Sequence, residues 1–173
     1  MQKLYLDCDG VILDTINKSY QIMKENNIID VDKINSFFCN IDWEEFILAS
    51  GELDGAINKI KVLEDSGLFD IKILTHVNSN NEIEAKTKYF KKLLPNIEVI
   101  SVPKAVRKAD VVVADNAILV DDYMPNLDYW DEKGGISVKF SDSGKISRYI
   151  TITDLLDLLN IDFKYKTKVK QVK

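Results

Sequence analysis

The stretch that decides the fold reads Lys3-Leu4-Tyr5-Leu6-Asp7-Cys8-Asp9-Gly10-Val11-Ile12-Leu13. A short β-prone apolar run stops abruptly at two acids and a glycine, the pattern of a buried strand that runs straight into a polar turn. Gly10 is the residue type that lets the backbone reverse there. Downstream, apolar runs alternate with segments of helical periodicity. Ile16, Tyr20 and Met23 recur at helical spacing over 15–27, and two further short helices are expected over 31–39 and 42–49. These three pieces form an inserted helical unit. A fourth helix fits 54–66, with Ala56, Ile60 and Leu63 on one face and Gly67 as its stop.

The apolar strand 71–74 then ends in Thr75-His76. A helix follows with Ile83, Thr87, Phe90 and Leu94 on its stripe, closed by Pro95. The runs 97–102, 111–114, 117–120 and 136–140 continue the strand series, Pro125 opens a short helix, and a last helix is expected over 153–160. Strands separated by helices imply parallel neighbours, because parallel pairing needs a crossover. The expected fold is α/β: a Rossmann-like three-layer sandwich around a central, mostly parallel sheet.

Composition narrows the function classes. The chain has 173 residues, 46% of them hydrophobic, and a formal net charge of −5, which suits one soluble domain with a sizeable core. An acidic balance argues against a protein that grips nucleic acid polymers, since binding the phosphate backbone needs a basic face. The longest apolar runs are far short of the roughly 18 residues that cross a bilayer, so no membrane span is expected. Cys8 and Cys39, without a signal-like N-terminus, read as reduced thiols in a cytoplasmic protein. Cys8 points away from its flanking acids by strand alternation and is expected to be buried and inert; Cys39 is expected in the helical core. The alternating lysines of 164–173 suit a solvent-exposed edge strand or a frayed helix extension, with an extended, solvated tail the favoured reading.

In an open α/β sheet, ligands bind beyond the carboxyl ends of the strands. Polar residues gather there: Asp7 and Asp9 after the first strand, Thr75 and His76 after the second, the cations Lys104, Arg107 and Lys108 before the 111 run, and Asp121-Asp122 after Ile118-Leu119-Val120. Carboxylates on adjacent strand tips repel unless a cation lies among them. An all-oxygen set with few protein ligands favours Mg²⁺. A phosphoryl group shared between the ion, the Thr75 hydroxyl and a lysine would leave one aspartate in line to attack phosphorus. The chemistry these residues suggest is phosphoryl transfer through an aspartyl phosphate.

The ordered set Asp7-x-Asp9-Gly10-Val11, Ile73-Leu74-Thr75, a downstream lysine and Asp121-Asp122 resembles the four motifs of the haloacid dehalogenase-like (HAD) hydrolases. By that resemblance Asp7 is nucleophile and Mg²⁺ ligand. Asp9 is the general acid/base, with its backbone carbonyl also on the metal. The Lys108-Ala-Asp-Val-Val context matches the family's third motif better than Lys104 does. Asp122 is the first choice as metal ligand from motif four, with Asp121 binding directly or through water. His76 is given at most a minor substrate contact.

The segment from Leu119 to Asn126, with Trp130 and Gly134-Gly135, is most similar to the 5'(3')-deoxyribonucleotidase-like branch. The resemblance implies a core of 1–14 and 51–163 and a small helical cap of 15–50 inserted after strand one. A small phosphorylated substrate would be the partner, and Phe37, Phe38, Trp43 and Phe46 are candidates to stack on a base. A phosphosugar mutase needs a larger, water-excluding cap. A receiver domain also carries an acidic pair, Thr and Lys, but in another order. A silent binding protein on the same fold would not need every one of these side chains.

Overall fold

The computed structural model describes residues 1–163; the tail 164–173 lies outside the described residues. The elements run β1 (Gln2–Leu6), α1 (Thr15–Glu25), α2 (Val31–Asn40), α3 (Trp43–Ser50), α4 (Ala56–Asp65), β2 (Phe69–Val77), α5 (Asn80–Leu93), β3 (Glu98–Pro103), α6 (Lys108–Val111), β4 (Ile118–Asp121), α7 (Met124–Glu132), β5 (Ile136–Phe140) and β6 (Ile150–Ile152). A 3-10 helix, Leu155–Asn160, closes the series.

The sheet has six strands in the order β3-β2-β1-β4-β5-β6. Every pairing in it is parallel, more uniform than the mostly parallel sheet expected. Chain direction along the sheet reverses at β1, whose neighbours are β2 and β4. That is the switch point where the crossovers part and leave a crevice at the strand tips.

Alternation along β1 explains the layers. Leu4 and Leu6 pack with Ile57, Ile60 and Leu63 of α4 and Phe90 of α5. Tyr5 points the other way, into a cluster with Leu119, Leu127 and Trp130. Both faces are therefore buried, which is what the continuous apolar strands require. Trp130 anchors the second face: its ring meets Tyr5 edge-on at 5.3 Å and its indole N–H donates to Ala117 O at 2.9 Å. Among the described residues no helix is long and apolar enough to cross a membrane.

Four expectations change. The 111–114 run is not a strand: α6 ends at Val111, and Val111 and Val113 are exposed on the way to β4. The helix over 153–160 is a 3-10 helix, preceded by the short edge strand β6. Cys39 is exposed rather than core, because α2 buries no residue completely. On α5, Thr87 faces solvent, and the buried row is Glu82, Lys86 and Phe90, spaced four apart. A lysine and a glutamate compensate each other there, so the helix buries a charged pair where apolar residues were expected.

Candidate active site

Asp7 follows β1 directly, and its backbone N–H donates to Val120 O at 2.9 Å, which sets it beside the end of β4. The register pairs Leu6 with Val120, so Asp7 and Asp121 are the next residues on adjacent strands. Beyond Asp7 the chain folds back on itself. Ile12 N and Leu13 N both donate to Cys8 O at 2.9 Å, and Gly10 takes φ +77°. The turn keeps Asp9 close to the strand tips instead of carrying it away with α1.

Lys108, on the single turn of α6, puts a buried ammonium 2.7 Å from Asp7 Oδ1 and 2.7 Å from Asp121 Oδ2. Cys8 N–H also donates to Asp7 Oδ1, at 2.7 Å. Asp121 accepts from Tyr123 N–H at 2.8 Å and from the Asn126 side-chain amide at 2.9 Å. Its carboxylate is thus occupied by three donors. Asp122 is only partly buried, and together with Asp7 and Asp121 it offers carboxylate oxygens that all lie within 4.8 Å of one another.

The electrostatics follow from burial and crowding. Burial, then the charge of Asp121, pushes the Asp7 carboxyl well above its usual range despite Lys108. Asp122 is raised to about 6 for the same two reasons. Lys108 is the ammonium paired with these carboxylates, and Lys139 adds a second positive charge beside Asp122, where it donates to the backbone carbonyl. Two cations against three carboxylates still leave negative charge, and every ligand atom the three offer is oxygen. The set fits a hard divalent cation such as Mg²⁺. The Asp9 side chain is not one of the three.

Asp9 belongs to a second cluster. Its Oδ1 accepts the Thr15 hydroxyl at 2.7 Å, and its Oδ2 lies 2.6 Å from the ammonium of Lys86, which is fully buried. Lys86 also meets Glu82 at 2.8 Å, donates to Thr75 Oγ1 at 3.0 Å and to His76 O at 3.3 Å, and lies 5.4 Å from the centroid of the Trp43 ring. Burial raises the Asp9 carboxyl, but the charge and hydrogen bond of Lys86 with that of Thr15 outweigh it, and the net direction is down.

Thr75 is buried, and it stands within β2 rather than past its end. His76 joins the second cluster only through its backbone carbonyl; its side-chain Nε2 lies 2.9 Å from Val106 O, and burial holds its pKa down. Lys104 is exposed, with its ammonium 5.8 Å from the centroid of the Phe38 ring, far from the role of a buried clamp. A groove of about 210 Å³ opens between these strand tips and the helical insertion, lined by Asp9, Thr15, Tyr20, Phe38, His76 and Lys104 among others.

Sequence reading thus named Asp7, Lys108, Asp121 and Asp122, which meet in one cluster, and Asp9 and Thr75, which meet in the other. It missed Lys86, Glu82, Thr15 and Asn126. The spacing of Glu82, Lys86 and Phe90 on one helical row carried a signal for the first two.

No family model matches the sequence, and no curated protein matches it. Solved structures do. YfnB of Bacillus subtilis, described as a HAD-hydrolase and solved bound to magnesium, superposes with a TM-score of 0.64 at 14% identity, over 92% of this chain and 97% of that one. A haloacid dehalogenase-like family hydrolase of Xanthomonas campestris gives 0.63 at 8% identity, over 98% and 94%. A HAD phosphatase of Thermococcus onnurineus gives 0.60 at 16%, over 92% and 97%. The fold is that of the HAD-superfamily hydrolases. At these identities the likeness is one of fold, and the chemistry has to be argued from the residues at the strand tips.

Proposed function

We propose that the chain is a Mg²⁺-dependent phosphomonoesterase that works through an aspartyl phosphate on Asp7. The observation that carries this reading is the buried ammonium of Lys108, held 2.7 Å from both Asp7 and Asp121 with Asp122 alongside. A cation clamp over an acidic cluster at a sheet's switch point suits an anionic phosphoryl group.

Asp7, Asp121 and Asp122 would hold the ion, with the Asp9 backbone carbonyl added by resemblance to the family. When bound, Mg²⁺ supplies the positive charge that lets a carboxylate approach a phosphate. The chain's residues do the rest. Lys108 and the Thr75 hydroxyl bind phosphoryl oxygens. A carboxylate oxygen of Asp7 forms a bond to phosphorus, the ester P–O bond breaks, and its electron pair leaves on the alcohol oxygen. Lys86 and Thr15 hold Asp9 as a carboxylate at rest, so the proton that Asp9 hands to the alcohol oxygen arrives with the monoanionic ester. In the second step a water oxygen bonds to phosphorus while Asp9 takes its proton. The P–O bond to Asp7 breaks, and inorganic phosphate leaves.

In the same reading, α1, α2 and α3 are a small cap over the groove, and the substrate is a nucleoside monophosphate. Phe38 supports this: it is half-buried and lines the groove. Trp43 is buried, and its indole N–H is taken by Phe38 O at 2.9 Å, so its role is to brace Phe38. The test is a phosphate-release screen over nucleotides, sugar phosphates and an aryl phosphate with Mg²⁺, with Asp7→Asn as control. Turnover that persists in that variant, or in excess chelator, would refute the reading.

A further inference from the structure

We propose that Lys86 is a positioning residue for the second half of this reaction: it fixes the Asp9 carboxylate and the Thr75 hydroxyl for the attack of water on phosphorylated Asp7. The inference rests on the phosphatase reading and adds to it a residue outside the family motifs named above. Lys86 is fully buried on α5, an environment that is costly for an ammonium unless partners surround it. A purely structural lysine would be satisfied by Glu82, one helical turn back at 2.8 Å. This one reaches past its own helix to Asp9 at 2.6 Å and to Thr75 Oγ1 at 3.0 Å.

Two consequences follow from hydrogen-bond chemistry. Thr15 from α1 holds one Asp9 oxygen and Lys86 from α5 the other, so the carboxylate cannot rotate freely about its χ2 bond. An ammonium only donates, so Thr75 Oγ1 must be its acceptor. The hydroxyl hydrogen is thereby turned away from the ammonium, toward His76 O at 3.2 Å, Asp9 Oδ2 at 3.5 Å, or a phosphoryl oxygen in their place. The site then has two buried lysines in parallel roles. Lys108 joins the nucleophile to Asp121, and Lys86 joins the acid/base to Glu82. In the step concerned, the water oxygen bonds to phosphorus, the P–O bond to Asp7 breaks, and the water proton passes to Asp9. A carboxylate pinned at both oxygens presents a lone pair to that water without reorganising.

The test compares wild type, Lys86→Met and Glu82→Gln/Lys86→Met by rapid mixing with p-nitrophenyl phosphate and Mg²⁺. The double variant removes both charges, so no carboxylate of Glu82 is left buried and unpaired. With Lys86 as a positioning residue, the double variant keeps a near-stoichiometric burst of nitrophenolate. Its steady-state turnover falls at least about tenfold, and a hydroxylamine-sensitive phosphoenzyme accumulates, as expected for loss of base assistance in one step. Burst and steady state slowed by the same factor, or neither slowed, overturns the proposal. So does a double variant that fails to fold, which would make the lysine structural. Wild-type protein that hydrolyses no phosphomonoester refutes the phosphatase reading and takes this assignment with it.

Discussion

Gly10 approaches Asp122 so closely that a β-carbon added to it would lie 2.5 Å from Asp122 Oδ2. Its backbone is also left-handed, at φ +77°, a conformation that costs other residues about 1–2 kcal/mol. The glycine thus does two things at once: it turns the chain after the first acidic pair and lets that turn touch the second. Gly10→Ala should lower the melting temperature by several degrees and shrink the further rise that Mg²⁺ produces, because the displaced carboxylate is the least hydrogen-bonded of the cluster. Thermal unfolding with and without Mg²⁺ checks both; an alanine variant with an undiminished Mg²⁺ response would separate Gly10 from the metal site.

Asp122 should cost the metal-free protein stability at neutral pH. Its pKa is raised to about 6 from 3.8, so the folded state binds this proton more tightly than the unfolded chain does. Between those values stability falls as pH rises, and above about pH 6 the full cost, on the order of 3 kcal/mol, is present. In chelator, Asp122→Asn should therefore melt higher than wild type at pH 7.5, with the advantage gone near pH 4. Saturating Mg²⁺ should reverse the order at pH 7.5, since only wild type keeps all three carboxylates for the ion. An equal difference at both pH values would show that the repulsion was not being titrated.

The two aspartates after β1 should fail in different ways. Asp7→Asn should show no burst and no turnover, because an amide is a poor nucleophile. Asp9→Asn should still form phosphoenzyme from an ester with a good leaving group while turnover falls by about a hundredfold or more. Quenched-flow trapping of the phosphoenzyme distinguishes the two, and identical defects would remove the division of labour.

The third-motif lysine has a similarly sharp expectation. Lys108→Ala removes the ammonium between Asp7 and Asp121 and should cut kcat/KM by at least about a thousandfold, the scale seen when a charged clamp on a transferring phosphoryl group is lost. Lys104→Ala, at an exposed position, should keep kcat within about threefold and act, if at all, through KM. The reverse pattern in a steady-state comparison would transfer the clamp to Lys104 and leave the fold unaffected.

What the sequence reveals here depends on how local the signal is. Asp7, Asp9 and Asp121-Asp122 stand at the ends of short apolar runs, and strand-then-acid is visible without any tertiary knowledge. Lys86 carries no such flag. A lysine on a helix is ordinarily solvated, and only the placement of α5 against the β1 turn makes this one buried. The same applies to 111–114, whose valines look like a strand until β4, seven residues later, takes the place in the sheet. β6 has three residues and little beyond β-branching to announce it. Thr15 was legible as the start of a helix, but its hydroxyl bond to Asp9 was not, because the contact depends on the sharp turn at Gly10.

Substrate choice tests the helical insertion. Phe38 offers the groove a ring face, with Trp43 stacked behind it at 6.1 Å and Phe46 meeting Trp43 edge-on at 5.3 Å. The three rings form a braced wall in which Phe38 and Trp43 both line the groove, but Trp43 is only 4% exposed, so Phe38 carries the accessible ring. If that substrate carries a base, stacking contributes roughly 1–3 kcal/mol. Phe38→Ala should then raise KM for a nucleoside monophosphate by about tenfold or more and leave KM for a sugar phosphate within about twofold. Trp43→Ala should behave differently, lowering the melting temperature and impairing both substrates together, since it empties a buried site behind the wall. Equal KM changes for both esters in Phe38→Ala, with the fold intact, would mean that the groove does not recognise a base, and the search for the natural ester would move to phosphorylated sugars and small acids.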